Sequence, residues 1–266
     1  MKSNSSGRGR HPQPTFLMRI GAVFFRHFRV YSRNLLSNGL PPFLEPLIML
    51  VGIGLGLGAY ITKMNGVPYI KFLASGLLVS TAMFTAAFEC SFGTFIRLEF
   101  DKVYDGMLTA PITVNNLLVG EMLWAGAKGF FFTFAVMVIV VLAGILPIGV
   151  VYPVPVIGFL TGVMFAAFSL FITSFVQTIN HFNFYFSGFI SPMFFFSGVF
   201  FPLTNLPGWV RPIAEALPLT HVVRLSRGIC LSEADPQLLF DLVYVLLFTL
   251  GFGAIAIRRL KRRLID

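Results

Sequence analysis

The sequence is short of charge, of acids and of cysteine. Only 12% of its 266 residues are charged, about half the share usual in soluble domains. With 56% hydrophobic residues, that excludes a soluble globular domain and points to an integral membrane protein. Acids number 11 against 20 Lys and Arg, but the +9 excess gathers at the chain ends. Lys2, Arg8, Arg10, Arg19, Arg26, Arg29 and Arg33 precede the first apolar run, and Arg258, Arg259, Lys261, Arg262 and Arg263 follow the last. Such placement follows the positive-inside rule, and no groove-reading motif accompanies it, so no nucleic-acid partner is expected. The two cysteines, Cys90 and Cys230, offer neither a disulfide framework nor a metal set. The chain has no G-x-x-x-x-G-K-[ST], no H-E-x-x-H and no G-x-S-x-G. Its histidines, His11, His27, His181 and His221, are scattered. No catalytic residue, metal ligand or cofactor is therefore assigned to this chain. No cleavable signal peptide is expected, because the first long apolar run starts only near Pro41.

What the sequence does have is apolar length. Spans need about 20 apolar residues each, and six are read: Pro42–Ile61, Ile70–Phe92, Leu118–Ile139 extending towards Leu146, Pro155–Phe175, Phe184–Phe201 and Leu238–Ile257. The fold class is all-α integral membrane. A disordered basic N-terminus (1–14) and an amphipathic interfacial helix (15–38) precede a six-span domain (41–258) and a basic tail (259–266). Six spans put both termini on one side, and the basic ends make that side cytoplasmic. Five Lys/Arg then face outside (Lys63, Lys71, Arg211, Arg224, Arg227) and fifteen lie on or near the cytoplasmic side.

Residues 16–36 place Arg19, Arg26, Arg29 and Arg33 on one helical face and Leu17, Ile20, Phe24, Phe28, Tyr31 and Leu35 on the other. Arginines towards headgroups and Phe towards acyl chains suit an interfacial helix; packing on protein is the plainer alternative. Trp209 suits the same depth. Gly54 and Gly58 in span one form a G-x-x-x-G, a candidate helix–helix interface. Before span six, "PGWVRPIAEAL" and "LTHVVRLSRGICL" read as short broken external helices, with Thr220 able to cap the second.

Glu89 is counted as essentially the one charge inside a span. It is a gate residue, or an interface carboxylate pairing with Arg97. Phe186, Phe189, Met193, Phe196 and Phe200 recur at three or four residues, either as a pathway wall or as packing. Pro192 kinks their helix. Between spans two and three, Glu99, Asp101, Lys102 and Asp105 make a charged surface, and Tyr104, Met107 and Leu108 offer apolar knobs to a partner. Pro111 ends that helix, and Thr113 or Asn115 can cap the next.

"VYDGMLTAPITVNNLLVGEMLWAGAKG" (103–129) and "SPMFFFSGVFFPLTNLPGWVRPIAEALPLTHVVRLSRG" (191–228) resemble the membrane subunit of ABC-2 type exporters. "GEMLWAGAKG" and "LPLTHVVRLSRG" look most like the nodulation-factor (lipo-oligosaccharide) exporter branch, with O-antigen and polysaccharide export permeases more distant. The resemblance implies a coupling helix at Val103–Leu108 that docks on a separate ATPase carrying ATP and Mg. It implies a homodimer with two ATPase copies in the bacterial inner membrane, and an amphiphilic substrate, a lipid-linked saccharide or lipo-oligosaccharide. A drug or antibiotic efflux permease stays open as an alternative. A membrane enzyme would need acids or His converging at one depth, and a stand-alone transporter several intramembrane charges.

Overall fold

The computed structural model describes residues 14–33, 35–232 and 235–265. Apart from Pro14, the basic N-terminus expected to be disordered lies outside the described residues. Helix α1 (Phe16–Ser32) begins where Thr15 Oγ1 accepts from the Met18 amide at 3.4 Å. It is shorter than the 15–38 read from sequence, and a separate helix, α2 (Leu35–Gly56), follows. α1 buries Ile20, Val23 and His27 against protein, while Leu17 and Phe28 turn outward. Arg29 and Arg33 are exposed, Arg19 and Arg26 half-buried.

A two-stranded hairpin, β1 (Lys63–Met64) and β2 (Val67–Pro68), departs from the all-α reading. Asn65 and Gly66, at φ 50° and 81°, supply the two positive φ angles of its tight turn.

Among the described residues, four helices are long and apolar enough to cross a membrane: Tyr69–Phe100, Val114–Leu142, Val154–Thr173 and Gln237–Leu264. The first opens with α3 (Tyr69–Phe88). After it come α4 (Val103–Leu108), α5 (Val114–Leu142), the single turn α6 (Ile148–Val151) and α7 (Val154–Thr173). Of the two other expected spans, the first lies in α2 and the turn after it, where Leu44–Ala59 is described as an apolar helix. The aromatic stretch is α8 (His181–Tyr185), a π turn (Phe186–Ile190) and α9 (Ser191–Phe196). Pro192 cannot donate to a carbonyl one turn back, and the π turn before it takes up the misfit.

α10 (Arg211–Ala216) and α11 (Pro218–Cys230) precede α12 (Gln237–Ile265). Thr220 does not cap α11. Pro218 opens that helix, and Thr220 Oγ1 donates back to the Ala214 carbonyl at 2.6 Å. Trp209 is exposed.

The bundle has a clear centre and rim. In its most apolar window the Tyr69–Phe100 helix is 83% buried, against 17% for α12. α5 and α7 pack on the central helix and on each other, and there small residues decide the distance. A Cβ added at Gly162 would lie 2.8 Å from the Ala125 carbonyl oxygen, and one at Gly129 would lie 2.6 Å from that of Gly158. This is a close-packed interface, and within the chain Gly54 and Gly58 make no comparably close approach. A Cβ on Gly54 would meet Ile70 at an ordinary 3.5 Å, and one on Gly58 would come only to 4.0 Å from Tyr69.

Gly162→Ala is therefore expected to destabilise the protein by about 1–3 kcal/mol through overpacking. Gly52→Ala, inside α2 with nothing within 4 Å of the new Cβ, is expected to leave stability unchanged or raise it by up to about 1 kcal/mol. Thermal unfolding of the two variants in the same detergent measures the contrast; equal midpoints would contradict it.

Candidate functional site

The central helix continues past α3 through two π turns, Glu89–Gly93 and Ile96–Phe100. In a regular helix, residues eight apart lie about 12 Å apart along the axis and point about 80° apart. The π turns widen the coil and re-aim its side chains. As a result Arg97 reaches back to Glu89, with Nη1 donating to Oε1 at 2.7 Å.

The expected Glu89–Arg97 pair is only half of what is assembled. Lys128 Nζ donates to Glu89 Oε2 at 2.7 Å. Arg97 Nη2 donates to Glu121 Oε2 at 2.8 Å, and Tyr104 Oη to Glu121 Oε1 at 2.7 Å. His27 Nε2 stands 3.0 Å from Glu121 Oε1, yet the geometry is not that of a hydrogen bond and Nε2 has no such partner among the described residues. Lys128 Nζ also sits 4.7 Å above the Tyr31 ring. The cluster thus ties α1, the π-turn end of the central helix, α4 and α5 together.

Its charges balance, two carboxylates against two cations. Glu121 is fully buried and the Glu89, Arg97 and Lys128 side chains are no more than 16% exposed. Unpaired, any of them would carry several kcal/mol of desolvation cost. His27, Glu89 and Glu121 could each offer a ligand atom, all within 4.8 Å of one another. All four carboxylate oxygens, however, already accept from Arg97, Lys128 or Tyr104. The donor set is an ion-pair network and does not fit a metal. A cavity of about 220 Å³ opens beside it, lined by His27, Val30, Tyr31, Glu89, Arg97, Trp124 and Lys128.

Counting Glu89 as the one intramembrane charge is therefore wrong. Glu121 and Lys128 lie in α5, seven residues apart and so on one face. Their spacing was the available signal. Asp241, fully buried in α12, is another. It accepts from Arg224 Nη2 at 2.9 Å and Nε at 3.0 Å, and its Oδ1 lies 2.7 Å from His221 Nδ1. That second network pins α11 to α12.

The segment read as a partner-facing surface divides in two. Tyr104 is 1% exposed and points inward, so it is not a knob for a partner. Burial, and then the adjacent Glu121 carboxylate, raise its phenol well above the ordinary pKa and keep it a donor. Asp101, Lys102 and Asp105 face solvent, and Met107 and Leu108 are half-buried. Glu99 is held by Arg263 Nη2 at 2.7 Å.

The aromatic residues do not form one wall. Phe186 stacks on Phe88 at 4.2 Å, and Phe189 meets Phe168 at 5.0 Å. Met193 and Phe200 are buried, while Phe196 faces outward. Packing accounts for all of them except Phe196.

Residues 18–231 match the family model described as ABC-2 type transporter. The chain is 30% identical over 246 residues to "Nodulation protein J" of Sinorhizobium fredii, covering 92% of this chain and 94% of that one. It is 34% identical over 213 residues to "Nodulation protein J" of Rhizobium leguminosarum bv. trifolii, covering 80% and 81%. It is 22% identical over 247 residues to "Inner membrane transport permease YadH" of Escherichia coli, covering 93% and 96%.

Arg97→Ala would leave two buried carboxylates short of a partner and is expected to destabilise by about 3–5 kcal/mol. Lys128→Met leaves Glu89 paired with Arg97 and should cost clearly less. Unfolding midpoints and membrane yields of the two variants test that order; a Lys128→Met protein as unstable as Arg97→Ala would overturn it.

Proposed function

Because this chain belongs to the ABC-2 type transporter family, we propose that it is the permease of an ATP-driven exporter, with ATP and Mg bound on a separate ATPase. Two permease copies and two ATPase copies form the machine. The chain lies in the bacterial inner membrane with both termini cytoplasmic. The basic ends support that orientation, and the apolar stretches at α2 and at 181–196 support a count of six crossings. Similarity to proteins named for nodulation supports an amphiphilic substrate, a lipo-oligosaccharide or lipid-linked saccharide.

The observation that carries the reading is the buried Tyr104–Glu121 hydrogen bond. α4 is a six-residue helix between two membrane-length helices, with Asp105 on it and Asp101 and Lys102 just before it turned outward. One phenol ties it to α5, and through Glu121 to Arg97 of the central helix. A nucleotide-driven push on α4 therefore moves Tyr104, and with it the ion pairs that join the helices. α1 shares the motion through His27, 3.0 Å from the same carboxylate.

Docking and transmission are separable on this account. Gentle purification is expected to recover a soluble ATPase in equal amount with the wild-type chain, and to lose it with Asp105→Lys combined with Met107→Asp. Tyr104→Phe should keep the ATPase but lower transport by about tenfold or more, as for a hydrogen bond to a charged acceptor. Recovery of the wild-type chain without any ATPase would sink the proposal.

A further inference from the structure

The last apolar stretch, residues 238–257, spans about 30 Å as a helix, the thickness of the hydrocarbon core. Residues 259–263 therefore emerge at the depth of lipid phosphates. There a cavity of about 560 Å³ opens between the end of α7 and the end of α12, lined by Ser174, Phe175, Gln177, Arg259, Arg262 and Arg263.

Two of its three arginines are held in place. Arg263 Nη1 donates to the carbonyls of Thr173 at 2.9 Å and Val176 at 2.8 Å, and its Nη2 to Glu99. The Arg259 guanidinium lies 3.8 Å over the Phe175 ring. Arg262 is exposed and makes no hydrogen bond or ion pair among the described residues. Glu99 is the carboxylate in contact with this group, and it faces Arg263 alone of the three. The lining thus carries three guanidinium groups, of which Arg263 is neutralised by Glu99 and Arg259 and Arg262 have no carboxylate partner among the described residues.

A helix C-terminus favours cations, but any solvated basic residue answers that need. It does not account for a guanidinium stacked on a ring and another tied to the end of a neighbouring helix. We propose that this cavity binds an anionic phosphate group, as carried by the headgroups of acidic lipids or as free phosphate. Held arginines lose little freedom on binding, and their planar forks suit phosphate oxygens.

The test uses the full chain in detergent, titrated with phosphatidylglycerol or phosphatidylcholine, with bound lipid counted by native mass spectrometry. The wild type is expected to prefer phosphatidylglycerol. Arg262→Gln, which breaks no internal contact, should reduce that preference by about tenfold, as for the loss of one charge-assisted hydrogen bond to a phosphate oxygen. Lys261→Gln, on the same turn but outside the cavity, should leave it unchanged. Competition by inorganic phosphate would assign the site to phosphate in general, and indifference to it would assign the site to lipid headgroups. Equal retention of both lipids, or equal losses in Arg262→Gln and Lys261→Gln, would overturn the proposal. So would loss of a co-purifying protein in Arg262→Gln with the lipid preference intact, since the groove would then be a protein interface.

Discussion

Arg97 holds two carboxylates at once, one in its own helix and one in α5. An apolar chain can keep charge inside only where each charge meets its opposite at hydrogen-bond distance. The other features of that region follow from this demand. The π turns bring Glu89 under Arg97, Lys128 takes the free Glu89 oxygen, and Tyr104 takes the free Glu121 oxygen. The result is a junction of four elements whose geometry is fixed by direction-sensitive contacts, whereas the helix faces above it are held by shape.

The helix faces behave differently. α5 and α7 meet through Gly126, Gly129, Gly158 and Gly162: backbone carbonyls and Cα atoms lie against Gly129 and Gly162, and the Val163, Phe159 and Thr133 side chains fill the space beside Gly126 and Gly158. Such a contact has little slack and moves as one piece. α4 turns one buried hydroxyl and the half-buried Val103, Met107 and Leu108 inward and meets solvent on its other side. The fold therefore sets a short, largely surface helix against a close-packed pair, and the ion pairs lie on the boundary between them.

Much of this was legible in the sequence. Apolar length is a local property, and it marked the stretches that became α3, α5, α7 and α12. Thr113 could be read as a cap because capping is also local, and its Oγ1 accepts from the Asn116 amide. What stayed hidden depends on which faces meet. Gly54 with Gly58 and Gly158 with Gly162 share the G-x-x-x-G spacing, but within this chain the tight contact forms at Gly158 and Gly162, because contact between α5 and α7 is a tertiary choice. Tyr104 looked like a partner's knob, since a six-residue amphipathic helix does not reveal which side turns inward. Glu121 and Lys128 were visible as residues on one face, but their partners lie on the neighbouring helix.

The same cluster sets a condition on how the chain enters the bilayer. The central helix brings Glu89 and Arg97, a pair that neutralises itself once the π turns form. α5 brings Glu121 and Lys128 seven residues apart, and in the finished fold each of these charges is matched from outside its own helix. Inserted alone, α5 would carry two unmatched charges into lipid. The central helix and α5, joined by α4, are thus best delivered together as a hairpin. The order of synthesis, with Arg97 and Tyr104 made before Glu121, supplies the partners before the charge that needs them.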